Sequence, residues 1–443
     1  MSETTLLERL TGLFGTGLLV LLAWLLSTDR RAVDWRVVAW GIALQFAFAV
    51  LVLRTAAGEV FFAAVNDAFV RLLDFSQQGA RFVFGNLVDN NVPVGTPAGG
   101  PPAGAPLPAG SVTAWARTGA YFAFGVLPTI IFFSSLMAVL YHFRVLQGIV
   151  RAFAWAMRRT MRTSGAETLA ASANIFVGMT EAPLMIRPFV AGMTRSELLC
   201  VMAAGFANTA GGVMAAYVGL LGPYVPGIAG HLLAASVMSA PAALAFSKII
   251  VPETEQPATR GDVAIDVKTP DANVIDAAAR GASEGLSLAL NVGAMLLAFI
   301  ALIALVNAGV GWAGGLLGLP GLSLERIFGW CLAPLAFALG VPARDAVEVG
   351  SLLGVKTVVN EFVAYLQLAN GLREGMQLSP RSVVIASYAL SGFANFASIA
   401  IQIGGIGAMA PERRHDLSRL GLRAMVAGAF ASFQTAAIAG MLL

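Results

Sequence analysis

Charge is what this 443-residue chain has least of. Asp, Glu, Lys and Arg make up 12% of it against 57% hydrophobic residues, and its mean hydropathy is +0.77. Soluble domains carry about 25% charged residues, so the shortage excludes an ordinary water-soluble fold and indicates a polytopic membrane protein. Cysteine is nearly absent: Cys200 and Cys331 lie in apolar segments with no metal-ligand spacing, which argues against a disulfide framework. His142, His231 and His415 are scattered and form no zinc motif. There is no Walker A loop, hence no sign of ATP-driven transport. Gly281-Ala-Ser-Glu-Gly285 matches the hydrolase nucleophile pattern, but it lies in an amphipathic stretch with no strand before it. With no nucleophile-base or metal set elsewhere, the chain is expected not to be an enzyme and to use no organic cofactor. A net charge of +3 held in Arg-rich loops does not indicate a nucleic-acid partner. The N-terminus lacks the basic region and small-residue cleavage site of a signal peptide, so its first apolar run is expected to be a retained span.

What is present is a series of apolar segments. Residues 11–26 and 37–53 read as spans, 58–84 as an amphipathic helix along the membrane surface, and 91–110 as a Pro/Gly/Ala-rich loop. A long span over 115–141 leads into a basic stretch. Further spans are expected at 196–221, 231–251, in a segment ending near 308 after an amphipathic start at 276–288, at 324–339, 383–406 and 420–443. A polar linker occupies 252–273. Two segments, 167–193 and 343–368, are too interrupted for simple spans and fit re-entrant hairpins. With both as hairpins, the Arg-rich loops share one side, expected to be cytoplasmic, and both termini lie outside.

The first interrupted segment holds Asn174-Ile-Phe-Val-Gly-Met-Thr-Glu181, followed by Ala182 and Pro183; the second holds Lys356, Asn360 and Glu361. An ionisable group at membrane depth is costly and is usually kept where it faces a cavity, ion or substrate. Glu181 and Glu361 are therefore candidate ligands for a polar solute. The competing reading is a structural ion pair, such as Glu361 with Lys356. Phe206-Ala207-Asn208 follows the first hairpin and Phe393-Ala394-Asn395 the second, which suggests an inverted repeat. Asn395 and Ser398 are three apart and share a helix face, beside the apolar ring of Phe393. Asn174, the Val177 carbonyl, Asn208 and Thr209 offer uncharged oxygens that suit Na+, or else are ordinary helix caps.

At Gly178-Met-Thr-Glu-Ala-Pro183, Asn360-Glu-Phe-Val-Ala-Tyr365 and Gly392-Phe-Ala-Asn-Phe-Ala-Ser398, the chain resembles the concentrative nucleoside transporter family. The resemblance is specific over 165–220 and 340–410 and looser elsewhere. It implies an all-α trimer in which two hairpins and two broken helices form a transport domain that moves against a scaffold. It also implies nucleoside uptake coupled to Na+ or H+. Carried over by position, Thr180 and Glu181 face the nucleobase, Val213 and Phe393 pack on it, and Glu361, Asn395 and Ser398 hold the ribose hydroxyls. Asn174, Val177, Asn208 and Thr209 fall at the family's sodium site. Met179 departs from the pattern, since the family's Gln there offers a donor and an acceptor and Met offers neither. Asn208 also departs, standing where many members carry a smaller residue.

The expectation is thus a multi-pass protein of a bacterial-type inner membrane, with about eight spanning helices plus interfacial ones. It is divided into N-terminal spans, interfacial helix and outer loop (1–113), a scaffold span with a basic segment (114–164), a first transport repeat (165–251), a linker with amphipathic helix and scaffold span (252–340), a second transport repeat (341–410) and a C-terminal span (411–443). Its partners are a nucleoside, membrane lipid and two further copies of the chain. Its function is symport by an elevator-type alternation. The alternatives are a symporter of the same architecture for a modified nucleoside or another polar ring-bearing solute, a channel, and an intramembrane enzyme.

Overall fold

A computed structural model describes residues 6–88, 91–95, 112–117, 122–259 and 271–442. These are helical apart from a short antiparallel ribbon. The N-terminal part comprises α1 (Leu6–Leu25), α2 (Trp35–Arg54) and α3 (Ala56–Phe84), then the ribbon strands β1 (Asn91–Gly95) and β2 (Val112–Arg117). The sequence reading placed 91–95 in a loop; they pair with β2 instead, and the rest of that loop, 96–110, lies outside the described residues, as does 260–270 of the polar linker with Arg260 and Lys268. Next come α4 (Leu127–His142), α5 (Val145–Met161), α6 (Gly165–Ala173), α7 (Arg187–Val190), α8 (Arg195–Ala207), α9 (Gly211–Leu221) and α10 (Ile228–Ile250). The C-terminal part holds α11 (Val274–Leu316), α12 (Leu324–Ala338), α13 (Ala346–Val358), α14 (Glu361–Arg373), α15 (Pro380–Leu390), α16 (Phe396–Met409) and α17 (Arg414–Leu442).

Six helical stretches among the described residues are long and apolar enough to cross a membrane: 35–54, 123–142, 195–221 (which includes the α8–α9 break), 228–250, 274–316 and 411–442. Two shorter apolar helices, 9–25 and 396–409, accompany them. The amphipathic stretch and the following span, read separately from the sequence, form the single 43-residue helix α11. No proline interrupts it, and Asn273 caps its start by accepting from the Ile275 and Asp276 amides. Glycine inside this helix serves close packing. A side chain on Gly285 would come within 2.8 Å of the Ile131 backbone, so only glycine lets α11 lie this close to α4. At the entrance to α11, Arg280 grips Asp271 at 2.6 and 2.9 Å, and these bonds hold the carboxyl below its usual pKa range.

The core is formed by α8, α10 and α17, packed on one another and lined by Ala and Gly where backbones approach. Around it the helix order recurs. A short helix, a break and a short continuation (α6 to α7, α13 to α14) are followed by a helix pair broken in the middle (α8 with α9, α15 with α16) and a long helix (α10, α17). The shared Phe-Ala-Asn triplets do not occupy the same place in the two halves. Phe206 and Ala207 end α8 with Asn208 as its C-cap, whereas Phe393 and Ala394 lie in the break and Asn395 is the N-cap of α16.

Candidate functional site

Each half anchors the start of its interrupted segment by a carboxylate paired to a hydroxyl. Ser164, which caps α6, donates to Glu197 of α8 at 2.5 Å, and Lys248 of α10 sits 2.8 Å from Glu167 and 3.2 Å from Glu253. In the second half the roles are exchanged: Asp345 below α13 accepts from the Ser379 and Ser382 hydroxyls at 2.8 and 2.6 Å. These anchors tie the start of α6 to that of α8 and the start of α13 to that of α15. Capping boxes at Ser164/Glu167 and Thr194/Glu197 start α6 and α8 in register, a signal the sequence carries openly.

Above these anchors the chain breaks four times. The turn over 174–181 follows α6, and Glu181 leads into a short 3-10 turn, Ala182–Ile186. The break after α8 adjoins it, since the Gly211 amide donates to the Phe176 carbonyl at 3.2 Å. In the second half, Asn360 caps α14 through the Val363 amide (2.8 Å) and Asn395 caps α16 through the Ser398 amide (2.9 Å). The caps at the two second-half breaks satisfy amides that would otherwise face an apolar interior without partners.

The breaks surround a cavity of about 180 Å³. All eight residues marked from the sequence for substrate line it: Met179, Thr180 and Glu181 from the first turn, Val213 from α9, Glu361 from α14, and Phe393, Asn395 and Ser398 around the start of α16. Glu361 is buried; its Oε1 accepts from the Tyr217 hydroxyl at 3.1 Å and its Oε2 from the Asn395 amide at 3.0 Å. Tyr217 is held by stacking on Tyr365, with ring centres 4.1 Å apart. Lys356 does not pair with Glu361: its Nζ bonds to the Ala389 carbonyl and the Ser432 hydroxyl. The ion-pair reading of Glu361 therefore fails. Glu181 is exposed to the cavity and accepts from its neighbour Thr180 at 2.9 Å.

The sequence reading missed two parts of this site. One is Tyr217, whose role depends on a partner 144 residues away. The other is the apolar wall that α11 supplies through Leu288, Val292, Met295 and Leu296. Spacing of four between Leu288, Val292 and Leu296 could have marked one face, but α11 is apolar all round and offers no contrast.

The four residues marked for a cation cluster at the first two breaks. Asn174 ends α6 and its amide nitrogen donates to Ala170 at 3.1 Å; Val177 lies in the turn that follows. Asn208 ends α8 and donates to Ala204 at 3.3 Å. That leaves Asn208 Oδ1 and Thr209 Oγ1 buried with no hydrogen-bond partner. Unpaired buried oxygens are costly, and a small cation is the group that uncharged oxygens of this kind satisfy. The donor set fits Na+.

Comparison with known proteins agrees along nearly the whole length. Three family profiles match: "Na+ dependent nucleoside transporter N-terminus" over 14–87, "Nucleoside recognition" over 123–224 and "Na+ dependent nucleoside transporter C-terminus" over 231–440. The chain is 44% identical to the uncharacterized transporter YutK of Bacillus subtilis, covering 98% of this chain and 99% of that one. It is 39% identical to sodium/nucleoside cotransporter 1 of Mus musculus, covering 98% of this chain and 64% of the mouse protein. Among solved structures it is similar to CNTnw in an inward-facing substrate-bound state, with a TM-score of 0.86, 41% identity and 98% of each chain covered. An outward-facing state of CNTnw matches with a TM-score of 0.84, 40% identity and 98% of this chain and 97% of that one covered.

Proposed function

This chain belongs to the Na+-dependent, concentrative nucleoside transporter family, and from that premise we propose that its central cavity holds a nucleoside by the ribose at Glu361, Asn395 and Ser398. It is an integral, multi-pass membrane transporter and not an enzyme. Glu361 carries the substrate assignment. Its two oxygens each accept one bond from the protein, which leaves lone pairs on both for donors within the cavity. The vicinal hydroxyls of ribose are such donors. A deoxy sugar would leave a buried acceptor unpaired, which is the basis for rejecting it.

The base then lies against Met179, Val213 and Phe393, with Thr180 and Glu181 at its polar edge. Asn174, the Val177 carbonyl, Asn208 and Thr209 hold the coupling Na+, a reading supported by the two unpaired oxygens. When bound, the cation contributes charge at the first two breaks. The protein residues there supply its ligands and tie the turn after α6 to the break after α8, so cation binding orders the Thr180–Glu181 side of the cavity. Met179 in the cavity wall favours one second reading, a base-modified nucleoside or other ring-bearing polar solute on the same scaffold, because it offers no hydrogen bond to distinguish base edges.

The proposed architecture has α6–α7 and α13–α14 as re-entrant hairpins in an inverted repeat, with about eight spans and three copies in a bacterial inner membrane. The repeats over 165–251 and 341–410 form the moving part and the remaining segments its scaffold. Elevator-type movement agrees with the inward- and outward-facing states of CNTnw.

The test is uptake of labelled uridine and adenosine into proteoliposomes under an imposed Na+ or H+ gradient. Accumulation that follows the Na+ gradient is expected, with competition among nucleosides reporting what Met179 does to base choice. Folded protein that accumulates neither would turn the assignment to a different solute.

A further inference from the structure

One buried cation makes no direct bond to the sites above. Lys356 lies in the last turn of α13 with none of its side chain exposed. Its Nζ donates to the Ala389 carbonyl at 2.6 Å and to the Ser432 hydroxyl at 3.0 Å, and it lies 5.2 Å from the centre of the Phe433 ring. Among the described residues no carboxylate is within ion-pair distance of it. Lys248, the other buried lysine, is set between Glu167 and Glu253. The direct contacts of Lys356 are thus a carbonyl near a helix end, a hydroxyl and an aromatic face, with Glu361 the carboxylate whose charge reaches it from beyond bonding distance. Uncharged oxygens and a ring face are acceptors that a monovalent cation takes.

The placement of those acceptors is informative. Ala389 lies in the last turn of α15, whose C-cap is Ser391. In the first half, the unpaired oxygens of Asn208 and Thr209 lie at the corresponding end of α8. Lys356 precedes the break before Glu361, as Asn174 precedes Glu181. We propose that the Lys356 ammonium is a tethered cation, filling in the second half the position that the exchangeable cation takes in the first. The inference rests on the ion site and the repeat proposed above. It explains why a lysine stands here at all. Of the 28 basic residues only Lys248, Lys268 and Lys356 are lysines, and an ammonium is a compact point charge where guanidinium is a planar fork. Because the tethered amine cannot leave, α13, α15 and α17 stay joined through the cycle, and a single exchangeable cation accompanies each substrate.

The full chain in proteoliposomes tests this by Na+-dependent uridine uptake and by the charge moved per uridine. Wild type is expected to move about one charge per uridine. Lys356→Ala is expected to lose about tenfold or more of its uptake, as an unfilled polar site would, and to recover to within about threefold on adding methylammonium. Lys356→Met fills the same space with an apolar chain and is expected to stay impaired with or without methylammonium. Wild-type uptake and Na+ dependence in Lys356→Met would overturn the proposal, and so would a folded Lys356→Ala that methylammonium does not restore. Two charges per uridine in wild type would overturn it as well, and that measurement requires no variant to fold. Wild type that accumulates no nucleoside on a Na+ gradient would instead sink the functional reading, and this inference with it.

Discussion

Glu361 shows how much of a site one residue can announce and how much it cannot. A carboxylate between apolar runs is costly enough in a membrane that a solute or ion partner could be expected from the sequence. The resemblance set Asn395 beside it, but that Tyr217 bonds to it and Lys356 does not could not be read, because that choice lies between different helices. Replacing Glu361 with Gln keeps the shape, removes the charge and puts a donor where an acceptor was. Charge-assisted hydrogen bonds are worth about 1.5–3 kcal/mol each, so KM for uridine is expected to rise about 10- to 100-fold. Discrimination against deoxyuridine should fall with it. An unchanged KM in the folded variant would remove the ribose assignment. At the cation group, Thr209→Val deletes an oxygen that has no partner in the protein. The half-saturating Na+ concentration is expected to rise by about three- to tenfold with little loss of uptake at saturating Na+, since one neutral ligand contributes on the order of 1 kcal/mol. Uptake curves that overlay those of wild type would put the ion elsewhere.

The elements depend on their anchors. Capping boxes and N-cap residues start α6, α8, α14 and α16 through contacts within four residues, a local signal that the reading of 196–221 and 383–406 as spans did not use. The exchange of acid and hydroxyl between the two anchors, Ser164 with Glu197 and Asp345 with Ser382, was not legible, because each pair joins different helices. The first anchor also gathers Glu167 and Glu253 about Lys248. Lys248→Met would leave buried Glu167 and half-buried Glu253 without a cation, a change that costs about 3–5 kcal/mol when one partner of a buried pair such as Lys248–Glu167 is removed. A clear drop in the melting temperature of the detergent-solubilised protein is expected, and a melting curve like that of wild type would mean that this cluster does not hold the first anchor together. Gly285→Leu tests the packing of α11 on α4 in the same assay. Overpacking typically costs about 1–3 kcal/mol, and more where the clash is with backbone, as it is here.

At the scale of the molecule, α11 exposes a continuous apolar surface: Leu297 is 78% exposed, Leu305 69% and Trp312 72%. In water such a surface would drive aggregation, whereas in lipid or against another copy it is at home. Leu297→Arg is therefore expected to cut the yield of membrane-integrated protein several-fold, since a charge at the centre of a span costs about 2.5–3.5 kcal/mol on insertion scales. Undiminished yield would mean that this position is in water. The same helix turns its other face inward, where Leu288, Val292 and Leu296 close the cavity, so one helix spans the boundary between the membrane-facing shell and the site.

Composition alone indicated a membrane protein, and the carboxylates kept in its two interrupted segments marked Glu181 and Glu361 as candidates to face a solute. Both follow from the same physics: in an apolar surrounding an uncompensated polar group is expensive, so each one kept has a purpose that can be read locally. Tertiary structure decided the rest. It made one helix of α11 where the sequence reading had an amphipathic stretch and a span, with Gly281 and Gly285 letting that helix lie against α4. It gave Tyr217 to Glu361 and sent Lys356 to Ala389 and Ser432, choices between partners of similar chemistry that only distance can settle. A hydrogen bond works over about 3 Å, and no residue type states which distant neighbour will come that close.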